Sequence, residues 1–146
     1  MKEFTIDDIR GVIPAMVTSF DKYEDLDETS TRNVARFLSS FDIGGLYLTG
    51  STGEAFLMKP RERRRALEVV IDEVGKETPI IAHIGALSTK ISIELVEHAE
   101  KVGATAISSV PPFYWHFTED QIYNYYADIA KATSLPMIVY NIHWLG

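Results

Sequence analysis

The sequence predicts an α/β fold built on a parallel sheet, and three observations predict it. Short apolar runs rich in β-branched residues begin at Val12, Leu46, Ile80, Thr105 and Met137. Between them lie stretches whose apolar residues recur at helical spacing. The runs are near-continuously apolar instead of alternating, as strands buried on both faces are. Repeated βα units of roughly thirty residues imply either an open doubly wound sheet or a (β/α)8 barrel, and periodicity alone does not separate the two.

The runs 12–18, 46–48, 80–84, 105–110 and 137–140 are the five expected strands. In the first helix Val34, Phe37, Leu38 and Phe41 form the apolar stripe, and Gly44-Gly45 follows it. The second places Pro60 in its first turn, where a missing N–H costs nothing. Its core face is Leu67, Val70, Ile71 and Val74, with Gly75 expected as a left-handed cap. The third, over 88–102, presents Ile91, Leu95, Ala99 and Val102 and ends at Gly103. The fourth opens with Thr118 and Gln121 at capping-box spacing and presents Ile122, Tyr125, Ile129 and Ala130.

Composition narrows the function classes. The 146 residues carry a net charge of −7 and 46% hydrophobic residues. An acidic chain offers no basic face for nucleic acid or anionic lipid. No apolar run approaches the ~20 residues of a membrane helix, and the N-terminus has no signal core. Cysteine is absent, so thiolate chemistry is excluded and a reducing, cytoplasmic setting is expected. The four histidines show no metal-ligand spacing, and His83 reads as a satisfied strand histidine. Arg61-Glu62-Arg63-Arg64-Arg65 reads as a solvated helix face flanked by acids.

In parallel α/β folds ligands sit at the carboxyl ends of strands. The second run ends in Gly50-Ser51-Thr52-Gly53-Glu54, whose hydroxyls and backbone N–H groups suit a small carboxylate or phosphate. A plain turn explains the same residues equally well. The fourth ends in Pro111-Pro112-Phe113-Tyr114-Trp115, a rigid aromatic loop for packing or for contact with another subunit. The fifth ends in Tyr140-Asn141, where a desolvated tyrosine can relay a proton or simply fill the core. Neither a dinucleotide glycine fingerprint nor a Walker lysine is present.

Taken together these motifs are distinctive. Gly45-Leu46-Tyr47 leads into Gly50-Ser51-Thr52-Gly53-Glu54-Ala55-Phe56, followed by Ile81-Ala82-His83-Ile84-Gly85. Pro112-Phe113-Tyr114, Tyr125-Tyr126 and Met137-Ile138-Val139-Tyr140-Asn141-Ile142 complete the series. In order and spacing the sequence resembles the pyruvate-dependent class I aldolases that include N-acetylneuraminate lyase and dihydrodipicolinate synthase. Ser51 before Thr52 is similar to the lyase branch; the synthase branch usually carries two threonines.

The resemblance implies a (β/α)8 TIM barrel, with residues 1–146 its N-terminal portion: an incomplete barrel of about five strands and four helices. It implies a homotetramer and reversible cleavage of a 2-oxo sugar acid (sialic acid) to pyruvate and an amino sugar through a lysine Schiff base. Thr52 and Gly53 would bind the pyruvate carboxylate, beside Ser51. Tyr140 would be the acid/base residue, and Ser51 would relay a proton between Tyr140 and Tyr114, which reaches from or toward a neighbouring subunit. No cofactor or metal is implied, because the protonated imine is itself the electron sink. Two alternatives stand beside this reading: a synthase-like condensation of pyruvate with an aldehyde, and a non-catalytic pyruvate-binding or assembly fragment.

The imine lysine is the missing piece. Lys2, Lys22, Lys59, Lys76, Lys90, Lys101 and Lys131 all fall outside the strand runs. The family places its lysine on the strand after the one bearing the tyrosine, and continues past Ile142 with proline, where this chain reads His143-Trp144-Leu145-Gly146. Loss of one C from codons for Pro-Leu-Ala-Gly produces that reading, so a truncated or frameshifted product is expected, ahead of a half-barrel that pairs with a partner. Such a chain alone is expected not to turn over.

Overall fold

The computed structural model describes residues 4–142, so His143 and the run after it lie outside the described residues. Four strands, β1 (Leu46–Leu48), β2 (Ile80–His83), β3 (Ala106–Ser109) and β4 (Met137–Val139), form one parallel sheet in chain order. Tyr47 is level with Ile81, Ala82 with Ile107, and Ser108 with Ile138. Helices α1 (Glu28–Ser39), α2 (Pro60–Val74), α3 (Thr89–Val102) and α4 (Glu119–Lys131) alternate with them, each packing on the next.

The core lies between the helices and one face of the sheet. Leu46, Leu48, Ile80, Ala82 and Ile107 meet Ala35, Leu67, Val70, Val96 and Ile129 there. Removing this much apolar surface from water is the dominant favourable term, at about 25 cal/mol per Å². The helix ends follow local chemistry. Asp27 caps α1 by accepting from the Ser30 N–H at 3.0 Å. Thr118 and Gln121 cap α4 reciprocally, at 2.9 and 3.3 Å. Gly103 ends α3 at φ 93°, in the left-handed region glycine enters without penalty.

Four expectations change. The run 12–18 is not a strand: it touches β1 through a single bridge, Ala15 to Tyr47. Tyr47 donates to the Pro14 carbonyl and accepts from the Met16 N–H, at 3.0 and 2.9 Å. The ladder stops there because Pro14 has no N–H to continue it, and because Thr49 turns away at φ 53°. Phe37 and Phe41 do not face the core; they are exposed and stack edge-to-face at 5.1 Å, while Thr31 and Ala35 fill the buried side. Gly75 caps α2 in the right-handed region, at φ −65°, so its role is to leave room beside the Ile71 carbonyl. Arg63 is not solvated but buried under β2, with 5% of its surface exposed.

Candidate active site

The other face of the sheet forms a cleft of about 350 Å³. Ile13, Ala15, Tyr47, Ile81, His83, Ile138 and Tyr140 line its floor and walls, and Gly50, Ser51 and Thr52 form its rim. Every second residue along a strand points the same way, so Tyr47, Ile81 and His83 face the cleft while Leu46, Leu48, Ile80 and Ala82 face the helices.

The rim is held in place by β1's departure from the sheet. Thr49 adopts the left-handed conformation, uncommon for a β-branched residue and costing ~1–2 kcal/mol. The surroundings enforce it: its Oγ1 donates to the His83 carbonyl at 3.0 Å, and its own carbonyl lies 2.9 Å from His83 Nδ1. Gly50 then passes over the Tyr47 ring, where an added Cβ would stand 2.7 Å from Cε1. The loop is pinned at its far end by Thr18, whose hydroxyl donates to the Gly53 carbonyl at 2.7 Å. Ser51 and Thr52 are exposed to the cleft.

Two polar side chains of the floor were not singled out as functional by the sequence reading. Tyr47 reaches across β2 and donates to Ser108 Oγ at 3.1 Å, and Ser108 donates onward to the Ile138 carbonyl at 3.0 Å. This chain of hydrogen bonds ties β1 to β3 and β4 across the inner face. Burial raises the Tyr47 phenol above its ordinary value, partly offset by Ser108, so it stays a neutral donor. His83 is 2% exposed. With Nδ1–H assigned as donor to Thr49, Nε2 accepts from the Val110 N–H at 3.5 Å, which satisfies both nitrogens of a neutral ring. Desolvation first, then the neighbouring Arg63 charge, lower its pKa to about 4. The signal that could have found both residues is parity: counting in twos along each strand separates cleft-facing from helix-facing positions.

Of the expected residues, Ser51, Thr52 and Tyr140 meet in this cleft, and Gly53 lies just behind the rim. Tyr140 stands with its ring 6.3 Å from that of Tyr47. Tyr114 does not join them. It is 80% exposed at φ 83°, edge-on to Trp115 at 4.7 Å. Among the described residues no hydrogen bond links Ser51 to Tyr140 or Tyr114, and no lysine lines the cleft. Among the described residues no group of three acidic, histidine or cysteine residues could hold a metal, and no helix is long and apolar enough to cross a membrane.

A parallel sheet backed by helices, with a cleft on its other face rimmed by the loop after β1, defines an α/β enzyme fold of the TIM-barrel type, here as four strands and four helices of a partial barrel. The family model of the dihydrodipicolinate synthetase family matches residues 8–145, and the chain belongs to that family. It is 45% identical to an N-acetylneuraminate lyase of Citrobacter koseri over 136 residues, 92% of this chain and 46% of the relative. A catalytic lysine mutant of the Ruminococcus gnavus sialic acid aldolase superimposes with a TM-score of 0.92 and 31% identity, covering 97% of this chain and 47% of that one. A prophage protein of the dihydrodipicolinic acid synthase family from Escherichia coli K12, solved with pyruvate, gives a TM-score of 0.89 and 30% identity over 92% of this chain and 45% of that one. The chain spans about half the length of the curated relatives it matches.

Proposed function

We propose that the chain supplies the 2-oxo-acid-binding part of an N-acetylneuraminate lyase-type aldolase. The observation that carries this is the meeting of Ser51 and Thr52 with Tyr140 in one cleft, at the carboxyl ends of β1 and β4. Thr52 and the Gly53 N–H take the carboxylate of pyruvate or of the parent sugar acid. Tyr140 handles the proton of the hydroxyl on the carbon that becomes the aldehyde, while electrons from the broken carbon–carbon bond flow into a protonated imine. Ser51 passes that proton between Tyr140 and Tyr114. The exposure of Tyr114 supports its meeting the cleft of another subunit, as in a homotetramer. Ser51, in place of a second threonine, favours the lyase over the synthase reaction.

The imine amine comes from the part of the barrel that the relatives carry and this chain does not cover. The Ruminococcus gnavus sialic acid aldolase solved as a catalytic lysine mutant supports the importance of such an amine in that protein. An acidic, cysteine-free composition supports a cytoplasmic location. Borohydride treatment of the 146-residue chain with pyruvate tests the assignment. No pyruvyl adduct is expected on any of its seven lysines, whereas calorimetry should show saturable pyruvate binding. An adduct in the mass spectrum, or no binding, overturns the proposal.

A further inference from the structure

Arg63 is a buried cation without an anion. It extends from the first turns of α2 beneath the end of β2, where Nη2 donates to the His83 carbonyl at 2.8 Å and Nη1 to the Gly85 carbonyl at 2.9 Å. Its Nε has no hydrogen-bond partner, although the residue is only 5% exposed. Among the described residues no carboxylate lies within ion-pair distance of it; every other ion pair involving an arginine uses Arg10, Arg32, Arg36 or Arg65. Burying a guanidinium with only carbonyl dipoles for company is costly, and native proteins normally pair such a group.

Its position relative to the cleft gives the burial a use. Nη2 lies 3.5 Å from His83 Nδ1, and the other side of that imidazole faces the cleft. The ring is neutral, both nitrogens being engaged by backbone groups, so it neither competes with Arg63 as a cation nor screens it as water would. The titratable groups facing this pair are the phenols of Tyr47 from β1 and Tyr125 from α4.

We propose that the missing counter-ion of Arg63 is the ligand's own carboxylate: the buried guanidinium attracts a 2-oxo acid into the cleft across His83, without touching it. This rests on the reading of the cleft as a 2-oxo-acid site and names the residue that gives it its charge preference. Arg63 is then a positioning residue, acting through the field it sets up at the rim.

The experiment compares pyruvate with pyruvamide, a neutral analogue of the same shape, by calorimetry on the 146-residue chain. Arg63→Gln keeps N–H donors for the two carbonyls but removes the charge; Arg63→Lys keeps the charge. Arg63→Gln should weaken pyruvate binding about tenfold and leave pyruvamide unchanged, and Arg63→Lys should retain the preference for the anion. Equal losses for both ligands, or no loss for pyruvate, overturn the inference while leaving the cleft assignment intact. Absence of pyruvate binding by the unsubstituted chain overturns both. A reading free of substitutions comes from NMR titration of the His83 ring. Pyruvate, but not pyruvamide, should raise the pH at which it protonates, because the bound anion offsets Arg63. Equal midpoints with the two ligands overturn the inference.

Discussion

Acid should weaken this fold through His83 before it weakens it through any carboxylate. In the folded chain the imidazole protonates near 4, against 6.5 for an unperturbed histidine. Between those values the unfolded chain takes up a proton that the folded chain refuses. Stability is therefore present in full above pH 6.5 and lost as pH falls toward about 4. At 1.36 kcal/mol per pH unit, the loss reaches about 2 kcal/mol at pH 5. Asp27, Glu28, Glu68 and Glu100 are held low by hydrogen bonds from Ser30, Arg65, His98 and Ser134, so their contributions also fall on acidification. Their window opens only near the ordinary carboxylate values of 3.8 and 4.5. Urea midpoints at several values between about pH 7 and pH 5, for the unsubstituted chain and for His83→Asn, isolate the imidazole. The variant should start less stable, having lost a bond to Thr49 or Val110, but its midpoint should depend less on pH. Parallel curves for the two proteins would refute the assignment of His83 as a buried neutral ring.

Three further substitutions probe separate parts of the structure. Tyr47→Phe removes the donor to Ser108 without opening a cavity and should cost about 1 kcal/mol in urea unfolding. Gly103→Ala meets no neighbour within 4 Å, so its cost comes from backbone at φ 93° alone; about 1 kcal/mol is expected, with unchanged ligand binding. Ile129→Ala empties a fully buried position between α4 and the sheet, and calorimetric melting should show a loss of about 3 kcal/mol.

Most of the fold was legible because its signals are local. Strands buried on both faces read as apolar runs, and caps such as Thr118 with Gln121 mark helix ends within a few residues. The run 12–18 has strand composition, yet pairing depends on backbone N–H groups, and Pro14 removes one where the ladder needed it. The α1 stripe at Phe37 and Phe41 has helical spacing, but Thr31 and Ala35, which are small, fit the close approach to α2 that the salt bridges of Arg32 and Arg36 to Glu73 accompany. Turn-forming residues after a strand exposed the rim at Ser51 and Thr52. The floor was harder to see. Tyr47 and His83 owe their roles to Ser108 and Thr49, partners 61 and 34 residues away in sequence. Arg63 lies in a run of charges that looks solvated, and nothing in its neighbours' identity shows that one of them turns inward.

The two-residue rhythm of the sheet has a consequence for how this chain tolerates change in length. In β1 and β2 one face is packed against the helices and the other lines the cleft with Tyr47, Ile81 and His83, so inserting or deleting one residue inside either strand exchanges the two faces. Tyr47 or His83 would then point into the helix layer and a leucine or isoleucine into the cleft. Length variation in natural relatives is therefore expected at the helix-to-strand connections remote from the rim, where neither face is at stake. Within the strands, only substitutions that respect their odd and even positions should survive.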